Sequence, residues 1–226
     1  MTHTFDTKAE TNAQSGNPIT LSYKCGAGAT VLVVGLAIHS RASFTQTPTY
    51  NSINMKQAGS TQIPSTQIAQ SQIWYLLKPS KNAAYNISVP NPGALTMTVM
   101  ASSYKASFGK TSAFDTSGGG SNNSASNPSA SITPSVAGDA VVDILTCTNT
   151  GAVTGNGQTL LYKTAESGSW DSAGQYALRT VSGAFNMSYT TTLSGWALAV
   201  AAIQEVASPV ARTIDMRKHY RRRIRI

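Results

Sequence analysis

Apolar and polar residues alternate along much of this chain with a period of two. Between Ile19 and Cys25, apolar residues occupy the odd positions while Thr, Ser and Lys occupy the even ones. This alternation places the apolar side chains on one face of a sheet. Segments 85–89 and 97–101 alternate in the same way. All three segments are therefore predicted to be half-buried strands.

Other segments are continuous apolar runs of strand length. Segments 31–38 and 73–77 are rich in β-branched, aliphatic and aromatic residues, which is typical of strands covered on both faces. Gly195–Ile203 alternates bulky residues with alanine, so a helix is possible but a buried strand is favoured. The second half adds further strand-like runs at 140–145, 160–163, 176–181 and 185–189.

Turn sequences separate these runs, and amphipathic helices are not indicated. Asn17-Pro18, Asn91-Pro92-Gly93 and Gly155-Asn156-Gly157 are typical of turns. About ten short strands joined in this way predict an all-β sandwich or barrel. Segment 116–131 has the composition of a linker. We interpret it as a long surface loop within one sandwich, because neither half has enough predicted strands to enclose a core alone.

Composition narrows the range of functions. The chain has 226 residues, of which 12% are charged, about half of the ~25% usual in soluble domains. Nine carboxylates, three histidines and two cysteines offer little material for acid–base or metal chemistry. We therefore expect a protein that is not an enzyme and that has no cofactor. No apolar run is long enough for a membrane span, and residues 1–16 do not resemble a secretory signal.

Candidate site residues are few. Asp139 and Asp143 would lie about 13 Å apart along one strand, which exceeds the separation of glycosidase carboxylates. His39 follows an apolar strand and is interpreted as a structural residue. Trp170, in a predicted loop at 165–174, and Tyr176 are candidates for stacking on a sugar. The alternative for Trp170 is a packed side chain that holds a surface loop in place.

Several segments, in their order and spacing, resemble a known family. The resemblance is to a jelly-roll-like β-sandwich domain that recurs in bacteriophage virion proteins and in bacterial surface proteins, and it covers roughly residues 17–206. It implies a non-enzymatic binding or structural role. The segments that carry it are TYNSINMKQAGS (49–60), QIWYLLKPSKNAAYNISVP (72–90), MTVMASSYKA (97–106), AGDAVVDIL (137–145) and GWALAVAAIQE (195–205).

Most of the formal net charge of +8 lies at the C-terminal end. Segment 212–226, RTIDMRKHYRRRIRI, holds seven bases and one acid, which leaves ten bases and eight acids in residues 1–211. We interpret it as a docking arm that pairs with an acidic surface or adds a strand to a neighbouring sheet. A free tail and nucleic-acid contact are the alternatives, and Tyr220 is its only aromatic residue for base stacking. The candidate partner-binding residues are Arg212, Arg217, Lys218, Tyr220, Arg221, Arg222, Arg223, Ile224, Arg225 and Ile226.

The sequence thus predicts three parts. These are a polar N-terminal arm (1–13), one jelly-roll-like sandwich (14–206) and a basic C-terminal arm (207–226). The expected function is that of a phage capsid decoration or cement protein, assembled in the host cytoplasm and located in the virion. Its expected partners are the major capsid protein or another virion protein and further copies of itself, with no membrane. A tail accessory protein and a carbohydrate-binding module for a cell-surface glycan are the alternatives.

Overall fold

A computed structural model describes residues 4–40, 42–64, 69–105, 114–123, 126–148, 153–166, 170–190 and 195–204, and these residues form strands, turns and loops. The first half contains Thr4–Glu10 (β1), Ile19–Tyr23 (β2), Val31–His39 (β3), Thr49–Tyr50 (β4), Ile53–Asn54 (β5), Lys56–Gln57 (β6), Gln70–Leu77 (β7), Tyr85–Val89 (β8) and Thr96–Lys105 (β9). The second half contains Phe114–Asn122 (β10), Ser129–Ile132 (β11), Ala140–Thr148 (β12), Thr154–Gly155 (β13), Thr159–Glu166 (β14), Trp170–Leu178 (β15), Phe185–Thr190 (β16) and Gly195–Ile203 (β17). No membrane-spanning helix is found in the part of the chain that the structure describes.

The two halves repeat one strand order. In the first half, a five-stranded sheet has the order β1-β9-β3-β7-β6 and a smaller sheet has the order β2-β8-β4-β5. In the second half, the corresponding orders are β10-β17-β12-β15-β14 and β11-β16-β13. Each half is therefore a two-layer unit, and we call these units the first and the second sandwich.

Three apolar cores hold the sheets together. The first core lies between the two sheets of the first sandwich and contains Leu36 and Ile87. The third core lies between the sheets of the second sandwich and contains Leu145 and Met187. The second core lies between the two five-stranded sheets, where Val33 and Val142 contribute to one cluster. The second core therefore joins the two sandwiches. Burial of each large apolar side chain in it contributes about 1.5–3 kcal/mol to stability.

The two five-stranded sheets pack against each other across the second core. Their central strands β3 and β12 face each other, since a Cβ atom on Gly35 would collide with the Ile144 side chain. Lys8 of β1 donates a hydrogen bond to the Leu161 carbonyl oxygen of β14. At the opposite edges of the sheets, Phe114 of β10 packs against Tyr75 of β7, the neighbour of β6. Corresponding ends of the two sandwiches therefore lie at the same end of the molecule.

The all-β fold of packed sheets is confirmed, and the sheets fall into two sets, one from each half of the chain. Residues 1–13, expected to form an arm, include β1, which pairs with β9 along Thr4–Glu10. The sequence TFDTKAE lacks a regular alternation because this edge strand is partly exposed on both faces. The prediction of a loop at 165–174 is wrong in part, because this segment includes the end of β14 and the first five residues of β15.

The prediction of a surface loop over 116–131 is wrong, because Phe114–Asn122 forms β10 and pairs with β17. Its glycines allow the strand to lie close to other chain segments. A Cβ atom on Gly118 or Gly120 would come within 2.9 Å of a backbone oxygen of β11. On the opposite face, a Cβ atom on Gly119 would collide with the Gln62 side chain. The glycines are thus required by close packing, which their linker-like composition conceals.

Candidate functional site

Four lysines of the first sandwich lie together at one end of the molecule. They are in the loops that follow β2 and β7 and at the last residue of β9, and the structure leaves three of them exposed and one half-exposed. With Arg179 of the second sandwich, we call this group the basic end. Its members are Lys24, Lys78, Lys81, Lys105 and Arg179.

Backbone hydrogen bonds bring these loops together. The Thr30 backbone N–H donates to the Tyr104 carbonyl oxygen at 2.9 Å, and the Lys78 N–H donates to the Thr30 carbonyl oxygen at 2.8 Å. The buried Tyr50 hydroxyl lies 3.2 Å from the Tyr23 carbonyl oxygen and 3.0 Å from that of Ser80. The residues before Lys24 and Lys81 are thereby held by one side chain.

A buried thiol lies beneath this end. Cys25 follows Lys24 and belongs to the first core. Burial raises the pKa of the Cys25 thiol to about 11, so the thiol stays neutral beside the lysines. Cys147 belongs to the third core, and neither cysteine forms a disulfide.

The second sandwich adds an arginine and two exposed apolar side chains to the same end. The Arg179 N–H donates to the Asp139 carbonyl oxygen at 2.8 Å, and the Arg179 guanidinium lies 4.1 Å from the centre of the Phe185 ring. Leu178 is 41% exposed and Val181 is 57% exposed. This part of the basic end therefore combines positive charge with accessible apolar surface.

The described chain also ends here. Ile203 pairs with Ala140 at the start of β12 and with Phe114 at the start of β10. Phe114 in turn contacts Tyr75 near the end of β7, with ring centres 4.7 Å apart. Ile203 therefore lies close to the end of β7, and Gln204 follows it. The predicted arm at 207–226 and its candidate residues lie outside the described residues. By sequence, the segment that contains them continues from the basic end.

The exposed side chains of the described chain are more basic, taken together, than its full set of charged residues. Three acidic side chains, Asp139, Asp143 and Asp171, are at most 3% exposed. Three more accept hydrogen bonds from the chain itself, namely Asp6 from Gly26 and Ser103, Glu10 from Thr164 and Asp115 from Ser135. Most of the described lysines, by contrast, are exposed.

Among the described residues, the loops at the opposite end of the first sandwich are uncharged, and Arg41, which precedes one of them in the sequence, lies outside the described residues. Segments 11–18, 42–48 and 90–95 form these loops and contain no Asp, Glu, Lys or Arg. Segments 42–46 and 91–95 line a shallow groove of roughly 200 Å³, to which Phe44, Pro92 and Leu95 contribute. His39 lies nearby, and burial lowers its pKa to about 4, which keeps it neutral at physiological pH. We call this the neutral end.

The candidate sugar-binding residues take part in packing between the sandwiches. Trp170 stacks on His39 with ring centres 4.7 Å apart. Tyr176 stacks on Phe5 at 6.0 Å and lies 6.1 Å from Tyr104. Trp170 and Tyr176 are six positions apart on one strand, which corresponds to about 20 Å. The structure does not bring the two rings together on one surface.

One buried acid lies in a polar cluster that the sequence does not reveal. The Asp143 carboxylate accepts hydrogen bonds from the Tyr189 hydroxyl at 2.7 Å and from the Gln175 backbone N–H at 2.8 Å. Burial raises the pKa of Asp143 to about 7, although these hydrogen bonds act in the opposite direction. Asp143 is 1% exposed, so its surroundings suit a structural role better than contact with a substrate.

Metal ligands do not converge in the described residues. No group of three or more His, Cys, Asp or Glu side chains among them is arranged to hold a metal ion. Comparison with protein-family models, with curated proteins and with solved structures finds no match to this chain. Its function therefore has to be inferred from its own residues and geometry.

Proposed function

We propose that this protein is a non-enzymatic structural protein of a bacteriophage virion, and specifically a capsid decoration protein. The observation that carries the proposal is the division of charge between the two ends. The basic end bears three exposed lysines and a half-exposed one and precedes the basic segment 212–226 in the sequence, whereas the described loops of the neutral end are uncharged. A protein fixed to a shell needs one adhesive end and one end that stays inert toward its surroundings.

The proposed mechanism is adhesion through the C-terminal arm. Guanidinium groups pair with carboxylates through two parallel hydrogen bonds, which lysine cannot reproduce. Alternation of Ile224, Arg225 and Ile226 would also let the arm add a strand to a neighbouring sheet. The jelly-roll-like relationship to virion proteins, the arm itself and a symmetric homo-oligomer on the shell belong to this proposal.

Deletion of the arm tests the mechanism. The full chain and a variant that lacks residues 212–226 are added to purified particles that have been depleted of this protein, and the bound fraction is measured. We expect the deletion to weaken attachment at least ~10-fold, since it removes a net charge of +6 by sequence.

The matched control is R221K/R222K/R223K, which keeps the charge but changes the geometry of the donors. Intermediate attachment of this variant would support carboxylate pairing by arginine. Unchanged attachment of the deletion variant would contradict the proposal.

The two alternatives differ in what they require. A tail accessory protein would be present in far fewer copies than a decoration protein. A carbohydrate-binding module needs an accessible ring, and it predicts that Trp170→Ala abolishes saturable binding to a cell-surface glycan. That alternative has less support, because the rings of Trp170 and Tyr176 already pack against His39, Phe5 and Tyr104.

A further inference from the structure

We infer that the basic end is itself a docking surface for an acidic face of the shell protein. Four lysines and two apolar side chains of this end would make the contact. The residues are Lys24, Lys78, Lys81, Lys105, Leu178 and Val181. This inference rests on the proposed function. It adds that the body of the protein, and not only the arm, contacts the shell, so that the strands point away from it.

The charges at this end favour an anionic partner. The acidic side chains nearby are Asp6, Asp115 and Asp139, of which Asp139 is buried and the other two accept hydrogen bonds within the chain. One oxygen of Asp6 accepts hydrogen bonds from the Gly26 N–H and the Ser103 hydroxyl, each at 2.7 Å. Asp115 accepts two hydrogen bonds from Ser135. The lysines therefore remain the accessible charges of this surface.

The apolar side chains favour a protein partner over a nucleic acid. Leu178 and Val181 are two of the four large apolar side chains that are exposed among the described residues. They flank Arg179, whose guanidinium already packs over the Phe185 ring. Nucleic-acid backbones are bound mainly through charged and hydrogen-bonding groups, whereas protein interfaces bury apolar side chains within a polar rim.

The place where the described chain ends favours the same orientation. Ile203 lies at the basic end through its pairing with Ala140 and Phe114. An arm and a body surface at the same end of the molecule can bind the same partner together. Once one of them is bound, the other is held near the partner at a high effective concentration, which strengthens the second contact. The two basic elements would thus reinforce each other.

Lysine footprinting on particles tests the inference. Purified particles and the free protein are treated with an amine-acetylating reagent, and labelling of each lysine is measured by mass spectrometry. We expect Lys24, Lys81 and Lys105 to be protected at least 5-fold on particles. Lys56 and Lys163, which are exposed on edge strands β6 and β14, serve as internal controls and should be labelled equally in both samples.

Carbodiimide coupling then identifies the chemistry of the partner. We expect Lys24 or Lys105 to become linked to an Asp or Glu of the shell protein. Protection that disappears after nuclease treatment would overturn the inference in favour of nucleic acid. A protein that is present on particles with Lys24 and Lys105 fully labelled would overturn the inference alone, whereas its absence from particles would overturn the proposed function as well.

Substitution provides a second readout with a matched control. K24Q/K105Q and K56Q/K163Q each remove two exposed positive charges. We expect the first pair to weaken attachment to depleted particles about 5-fold at 0.15 M salt and the second by less than 2-fold. Equal effects of the two pairs would show that net charge alone governs attachment and would contradict a defined docking surface. Unfolding curves of both variants establish that they are folded.

Discussion

The two sandwiches share a strand order but fill equivalent core positions differently. Where β3 places Val34 against Trp74, β12 places Asp143 beside Gln175. The first set lies in an apolar core, and the second belongs to a hydrogen-bonded cluster completed by Tyr189. One backbone pattern thus accommodates either a dry core or a polar one in which the buried carboxylate accepts hydrogen bonds from Tyr189 and Gln175.

The largest effect is expected when the polar pattern is imposed on the first sandwich. Val34→Asp would bury a carboxylate among apolar side chains without the donors that surround Asp143. We expect a loss of about 4 kcal/mol or more in the free energy of unfolding, measured by urea denaturation. Val34→Thr is the control, since it adds one hydroxyl at nearly constant volume. Equal losses for the two variants would show that burial of charge is not the cause.

The reverse change in the second sandwich should cost less. Asp143→Val leaves the Tyr189 hydroxyl and the Gln175 backbone N–H without their acceptor, so we expect a loss of about 2–3 kcal/mol. The double variant Asp143→Val/Tyr189→Phe should lose less than the sum of the single variants, because no orphaned hydroxyl remains. Strict additivity in urea denaturation would argue against a coupled cluster.

A smaller effect should distinguish a closely packed glycine from an open one. Gly118→Ala places a Cβ atom 2.9 Å from the backbone oxygen of Ser131, and we expect a cost of about 1–2 kcal/mol. In Gly28→Ala the Cβ atom would lie 3.4 Å from the flexible Lys105 side chain, and we expect a change within about 0.5 kcal/mol. A similar melting temperature for both variants would contradict the close packing of β10.

Much of the fold, but not its repetition, can be predicted from the sequence. Alternation and apolar runs indicate strands such as β2, β3, β8, β12 and β17. Strands β1 and β10 escape prediction because one is partly exposed on both faces without regular alternation and the other consists largely of Ser and Gly. The repeat leaves a weak signal that strand-by-strand reading overlooks, since YLLK at 75–78 matches YALR at 176–179, and YNISV at 85–89 matches FNMSY at 185–189.

The candidate site was harder to predict than the fold. The lysines of the basic end are up to about 80 positions apart in the sequence, and only hydrogen bonds between loops bring them together. Burial of Asp139, Asp143 and Asp171 also removes three acidic groups from the surface, which the composition does not indicate. The charge of the C-terminal segment, in contrast, is evident from the sequence alone.

The smallest expected effect is a pH dependence that differs between the two sandwiches. The folded-state pKa of Asp143, about 7, lies above its ordinary value of 3.8, so the folded protein binds more protons and loses stability as pH rises. Between pH 6.5 and 8 we expect a loss of about 1 kcal/mol, measured by urea denaturation. Asp143→Asn should remove this slope, and a slope that persists in the variant would assign it to another group.

His39 acts in the opposite sense at lower pH. Its folded-state pKa of about 4 lies below the ordinary value of 6.5, so its contribution to stability is complete above pH 6.5 and is lost as pH falls toward 4. His39→Gln should flatten the rise of stability over that range. An unchanged profile would show that the histidine is not excluded from water by Trp170.

The most direct test of the decoration role is quantitative mass spectrometry of purified particles from the source. We expect this polypeptide to be present in hundreds of copies, in a fixed ratio to the major shell protein. A dozen copies or fewer would place it on the tail and contradict decoration of the capsid. Absence from every particle would contradict the virion role altogether.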